Sequence, residues 1–219
     1  MVFSGADRDE VLLPGSGSAI LDTELYDPKT ETWRVMARQH NPRTYHNTAM
    51  LLPDGRVLVG GHSPINTGYA FSLDLTALGL SPNQGRDPSF ELYSPPYMYA
   101  ANRPQITSAP STTALGQSIN IGTSGGTIKE VVLVRRTTLT HIIDGDQRTV
   151  VLPHTGTSNL TAKLPTQKGV LPPGPYMLFV ISEDAAGKRL PSVSKPIMVE
   201  GADTRAVGCS VPAARVVKR

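Results

Sequence analysis

Short apolar runs broken by turn residues recur along the whole chain, and none is long enough or periodic enough at 3.6 residues to predict a helix. From Arg103-Pro104-Gln105-Ile106 onward they come at regular spacing, with candidate strands at Ser118 to Ile121, Glu130 to Val134, Thr149 to Leu152, Asn159 to Leu164, Tyr176 to Ser182 and Pro196 to Val199. Six or seven short strands in about a hundred residues predict an immunoglobulin-like sandwich. Residues 201–219 lose the pattern and are expected to be a flexible tail.

The first hundred residues follow a different rhythm. Val11-Leu12-Leu13 leads to Glu24-Leu25-Tyr26-Asp27-Pro28, and Val57-Leu58-Val59 leads to Glu91-Leu92-Tyr93-Ser94-Pro95, an internal repeat whose second copy carries a longer loop from His62 to Pro88. A connection of that length predicts a functional insertion. Asp27-Pro28-Lys29-Thr30 predicts a hairpin that pairs Tyr26 with Trp33. Pro53-Asp54-Gly55 predicts a second, between Thr48–Leu52 and Arg56–Val59. Four strands per unit, Gly60-Gly61 after the second and a Tyr-to-Trp hairpin at the end resemble a kelch repeat, the blade of a β-propeller. The expected fold is therefore all-β: fewer than two blades of a kelch-type propeller over residues 1–102, then an immunoglobulin-like sandwich of early-set type over 103–200. Propellers close with four or more blades, so upstream blades are expected in a longer parent protein.

Composition supports the all-β reading, because 20 glycines and 19 prolines among 219 residues are spread between the apolar runs. A net charge of +3, with basic residues gathered only at Arg205, Arg215, Lys218 and Arg219, argues against a nucleic-acid or membrane partner. No run reaches the ~20 residues of a membrane span. The single cysteine, Cys209, excludes an internal disulfide and leaves the compartment open. Met1 to Glu10 lacks the pattern of a signal peptide, which fits either a cytoplasmic chain or one whose N-terminus lies further upstream.

Two segments carry candidate chemistry. Asn41-Pro42-Arg43-Thr44-Tyr45-His46 sets a tyrosine beside a histidine, and both reach one metal only where the backbone bends. His141 follows the apolar run Val131 to Val134 and precedes Asp144-Gly145-Asp146, which places it on a loop with either carboxylate as a hydrogen-bond partner. Taken singly, each histidine reads as an ordinary polar residue. His62 and Tyr69 are weaker candidates, and His40 and His154 read as surface residues.

Together the segments resemble the copper-radical oxidases, the family of galactose oxidase and glyoxal oxidase. The carriers are Arg43-Thr44-Tyr45-His46-Asn47-Thr48-Ala49, Leu51-Leu52-Pro53-Asp54-Gly55-Arg56-Val57-Leu58, Tyr93-Ser94-Pro95-Pro96-Tyr97, Thr140-His141 with Asp146-Gln147-Arg148, and Pro172 to Val180 followed by Pro191-Ser192-Val193. The resemblance implies copper held by Tyr45, His46 and His141, with Tyr45 also the base that takes the proton of the alcohol. It implies oxidation of a small alcohol, aldehyde or carbohydrate by O2, giving hydrogen peroxide, and an extracellular location. The family's second electron acceptor is a tyrosyl radical cross-linked to cysteine. No residue here matches that pair, since Cys209 follows the sandwich and Tyr26 belongs to a hairpin. A glycan- or surface-binding module and a truncated product without activity are the rival readings.

Overall fold

The computed structural model describes residues 1–5, 19–44, 46–61, 89–140 and 143–201. Tyr45, His141, the run Val11 to Leu13, the segment 62–88 with His62 and Tyr69, and Cys209 within the expected tail lie outside them. The regular structure of the described residues is all strand, as the sequence pattern predicts, apart from one short 3-10 turn at Pro96–Tyr99.

The N-terminal part holds two small sheets. Strands β1 (Glu24–Asp27) and β2 (Thr32–Val35) pair antiparallel with Tyr26 opposite Trp33, and their rings lie 5.0 Å apart. The Asp27 carboxylate closes the turn by accepting from the Lys29 N–H at 2.9 Å. Strands β3 (Thr48–Leu51), β4 (Val57–Gly60) and β5 (Phe90–Tyr93) form a three-stranded antiparallel sheet. The β3–β4 turn works because Gly55 takes a φ of +95°, open to glycine, while Asp54 Oδ1 accepts from Arg56 N at 2.9 Å. Among the described residues no sheet closes into a barrel.

The remaining strands make a sandwich. One sheet runs β13 (His154–Thr155), β14 (Asn159–Lys163), β8 (Ser118–Ser124), β6 (Gln105–Ser108). The other runs β12 (Thr149–Leu152), β9 (Ile128–Arg135), β15 (Gly174–Glu183), β17 (Lys195–Glu200), β7 (Thr112–Ala114), with β16 (Arg189–Pro191) also on β15. Every contact between neighbours is antiparallel except β17 with β7. Alternation does the sorting: in β14, Leu160 and Ala162 are buried while Asn159, Thr161 and Lys163 face out. In β15 the run Tyr176 to Val180 is buried throughout, so both its faces are covered. Ile119, Ile121, Leu133, Leu178 and Val180 meet in the core between the sheets. Burying such side chains contributes roughly 1.5–3 kcal/mol each.

Arg103 ties the two parts together. Its Nη2 donates to Asp54 O at 2.8 Å in the β3–β4 turn, while Nε donates to Pro191 O at 2.8 Å on β16. Ser194 N adds a hydrogen bond to Pro53 O at 2.8 Å. The sandwich is thereby fixed against the turn at the end of β3 opposite His46.

Candidate functional site

The loop before β3 is built on a buried cation. Arg43 is 0% exposed, and its guanidinium spreads over acceptors from two distant segments. Nη1 donates to Gly61 O at 2.9 Å and to Ser89 O at 3.1 Å, and Nη2 donates to Ser89 Oγ at 2.9 Å. Nη2 also stands 3.5 Å from Glu91 Oε1. Glu91 in turn accepts the His40 and Asn41 N–H groups at 2.8 and 3.1 Å. A planar fork with five donors suits such a set, where an ammonium ion does not.

His46 sits on this loop, before the strand begins, with φ at +51°. The sequence offered the preceding Asn41-Pro42 turn as the bend that would let Tyr45 and His46 reach one metal, and the structure shows a left-handed backbone at His46. That left-handed conformation costs roughly 1–2 kcal/mol for a residue with a Cβ. The loop is held by Asn47 Nδ2 donating to Arg43 O at 3.2 Å. The His46 Nε2 is buried.

The second candidate segment is braced in a similar way. Strands β10 (Leu139–Thr140) and β11 (Ile143–Asp144) form a short ladder on either side of positions 141 and 142. Asp144 Oδ1 accepts from Thr138 N at 2.9 Å and Asp146 N at 3.1 Å, and Asp146 Oδ2 accepts from Thr138 Oγ1 at 3.2 Å. The two carboxylates offered by the sequence as partners for His141 thus serve the base of this hairpin. Arg135 Nε stands 3.2 Å from Asp146 Oδ2, an ion pair without the alignment of a hydrogen bond. Its Nη1 donates to Pro172 O and Pro173 O, each at 3.0 Å. The Tyr176 hydroxyl and then Asp146 push the Arg135 pKa up against the opposing effect of burial, so the brace stays cationic.

One cleft of about 670 Å³ brings the two segments together: Thr44 and Asn47 line it beside the first, Leu139 and Asp144 beside the second. Tyr97 shares its wall. Burial, partly offset by Arg103, pushes the Tyr97 phenol up, and its hydroxyl donates to Gly55 O. His40 and His154 stand apart from this cleft. Among the described residues no three His, Cys, Asp or Glu side chains lie close enough to hold a metal ion. The braces Arg43 and Arg135 escaped the sequence reading as structural devices. The only signal was Arg43 within the same motif as Tyr45 and His46, because partners 18 to 48 residues away leave no local pattern.

Residues 103–199 match the galactose oxidase-like, early set domain family. A galactose oxidase of Gibberella zeae is 30% identical over 188 residues, covering 82% of this chain and 25% of that protein. Aldehyde oxidase GLOX1 of Arabidopsis thaliana is 31% identical over 178 residues, covering 72% of this chain and 27% of that one. The chain therefore spans about a quarter of the length of these relatives. A fungal alcohol oxidase solved in complex with copper superposes with a TM-score of 0.66 at 25% identity, covering 84% of this chain and 36% of that structure. Residues 103–199 are thus a galactose oxidase-like early set domain, and the chain is homologous to part of galactose oxidase and of the aldehyde oxidases.

Proposed function

We propose that this chain is the part of a copper-radical oxidase that contributes Tyr45, His46 and His141 to the metal and Tyr45 as the catalytic base. The observation that carries the reading is one cleft lined by Thr44 and Asn47, which flank Tyr45 and His46, and by Leu139 and Asp144 on either side of His141 in sequence. The donor set fits: two imidazoles and a phenolate suit Cu(II), and His46 offers a buried ring nitrogen. Bound there, copper supplies Lewis acidity and accepts one of the two electrons of an alcohol oxidation.

Tyr45, as phenolate, takes the hydroxyl proton of a primary alcohol, or of the hydrated form of an aldehyde, at its Oη. His46 and His141 would supply neutral imidazole nitrogens to the metal. On this reading the second electron, together with the hydrogen of the broken C–H bond, would pass to a Tyr-Cys radical cofactor supplied by upstream blades of a kelch propeller. The parent protein on this reading acts outside the cell, oxidises small alcohols, aldehydes or carbohydrates, and returns O2 as hydrogen peroxide. Residues 1–102 would be propeller blades, residues 103–200 the sandwich, and 201–219 a tail.

The test is copper titration of the 219-residue chain followed by paramagnetic resonance. A tetragonal, nitrogen-coordinated Cu(II) signal that is lost in both His46→Ala and His141→Ala is expected. A signal indifferent to both substitutions would sink the assignment of these ligands.

A further inference from the structure

The left-handed backbone of His46 is the most constrained feature of the loop. A non-glycine residue keeps such a conformation only where its surroundings over-determine it. Three contacts do so. The Asn47 side chain closes the turn by donating to Arg43 O at 3.2 Å. The Arg43 guanidinium holds the Gly61 carbonyl at 2.9 Å. Gly61, at a φ of +74°, backs directly onto the His46 carbonyl, so close that a Cβ there would lie 2.8 Å from that oxygen.

From these contacts we infer that Arg43 is a positioning residue for His46, acting through Gly61 on one side and Asn47 on the other. Its guanidinium joins Gly61 to Ser89 and Glu91, so the His46 carbonyl rests against a backbone wall that cannot retreat. Geometry sets the role more than charge does, because a lysine retains the cation yet cannot bridge Gly61 O, Ser89 O and Ser89 Oγ at once. The consequence for copper rests on the proposed role of His46 as a ligand. The consequence for the imidazole does not.

The test uses Arg43→Lys and Asn47→Ala in the 219-residue chain, with the His46 imidazole 1H–15N resonances assigned by their loss in His46→Ala. Both variants are expected to move those resonances. They are also expected to weaken Cu(II) binding by about tenfold or more, the usual effect of losing a group that orients a metal ligand. In a His46→Ala background neither should weaken copper binding further. Unmoved His46 resonances in a folded variant would overturn the inference, as would an equal loss of copper with and without His46. Should the parent chain take up no copper, the metal reading fails and the resonances alone decide the positioning role. Should Arg43→Lys fail to fold, Ser89→Ala, which removes one acceptor of the Arg43 guanidinium, decides it by the same readouts.

Discussion

Arg43 Nη2 stands 3.5 Å from Glu91 Oε1, with the arginine side chain wholly buried and the glutamate side chain 17% exposed. Removing one member of such a pair strands the other charge, whereas the pair itself adds little over apolar packing. Glu91 also accepts two backbone N–H groups, from His40 and Asn41. Glu91→Ala is therefore expected to destabilise the N-terminal sheet by about 2–3 kcal/mol. Glu91→Gln, which keeps a carbonyl acceptor, should lose less. Urea unfolding of the two variants measures the difference, and equal costs would mean that the charge matters more than the acceptors.

Gly174 is the counterpart in the sandwich. Its φ is +143°, and a Cβ there would lie 2.8 Å from both terminal nitrogens of Arg135. An arginine tip can usually swing away, but this one is tied to Pro172 O and Pro173 O, stands by Asp146 and lies over the Tyr176 ring at 5.4 Å. Gly174→Ala is expected to cost about 2 kcal/mol through backbone strain and loss of the brace. Amide exchange should then accelerate at Thr138 and Gly145, at the base of the β10–β11 hairpin, more than at Leu160 in the opposite sheet. Uniform acceleration would argue that Gly174 stabilises the sandwich at large and not this hairpin.

Much of the fold was legible because alternation and turn chemistry are local. The pattern of Asn159 to Lys163 and the hairpins at Asp27-Pro28 and Asp54-Gly55 each carry their own instructions, and each forms as read. The three-residue strand β7 and its parallel partnership with β17 were not legible, since Thr112 to Ala114 has no alternation to mark it and its partner lies more than eighty residues away. The site divides in the same way. Tyr45, His46 and His141 stand out by residue type, but the bend at His46 is imposed by Arg43, Gly61 and Asn47 together. A buried cation satisfied by distant carbonyls has no signature in hydrophobic periodicity.

Asp54 gives the joint between the two parts a predictable acid response. Burial alone would raise its pKa. The Arg56 N–H and guanidinium, with Arg103 beyond, outweigh that and hold it below the ordinary 3.8. A carboxylate depressed in the folded state contributes stability that is complete above its unfolded pKa and fades as pH falls through the folded value. The melting temperature of the parent chain should therefore exceed that of Asp54→Asn by a constant margin above about pH 5, and the margin should shrink below 3.8. Melting curves across that range check it. A margin that grew on acidification would reverse the sign of the argument.

Trp33 is the only tryptophan in the chain, so its fluorescence reports on the β1–β2 hairpin alone. All four residues of β2 are exposed, and Trp33 itself is 55% exposed, against a sandwich core of wholly buried side chains. Elements with little buried apolar surface open at lower free energy than the core. The fluorescence transition in urea is therefore expected at a lower midpoint than the circular dichroism transition of the sandwich. The Tyr26 and Trp33 rings at 5.0 Å supply a cross-strand contact worth about 0.5–1 kcal/mol. Tyr26→Ala should accordingly shift the fluorescence midpoint and leave the sandwich transition in place. If both transitions coincide and move together, the hairpin unfolds as one unit with the sandwich.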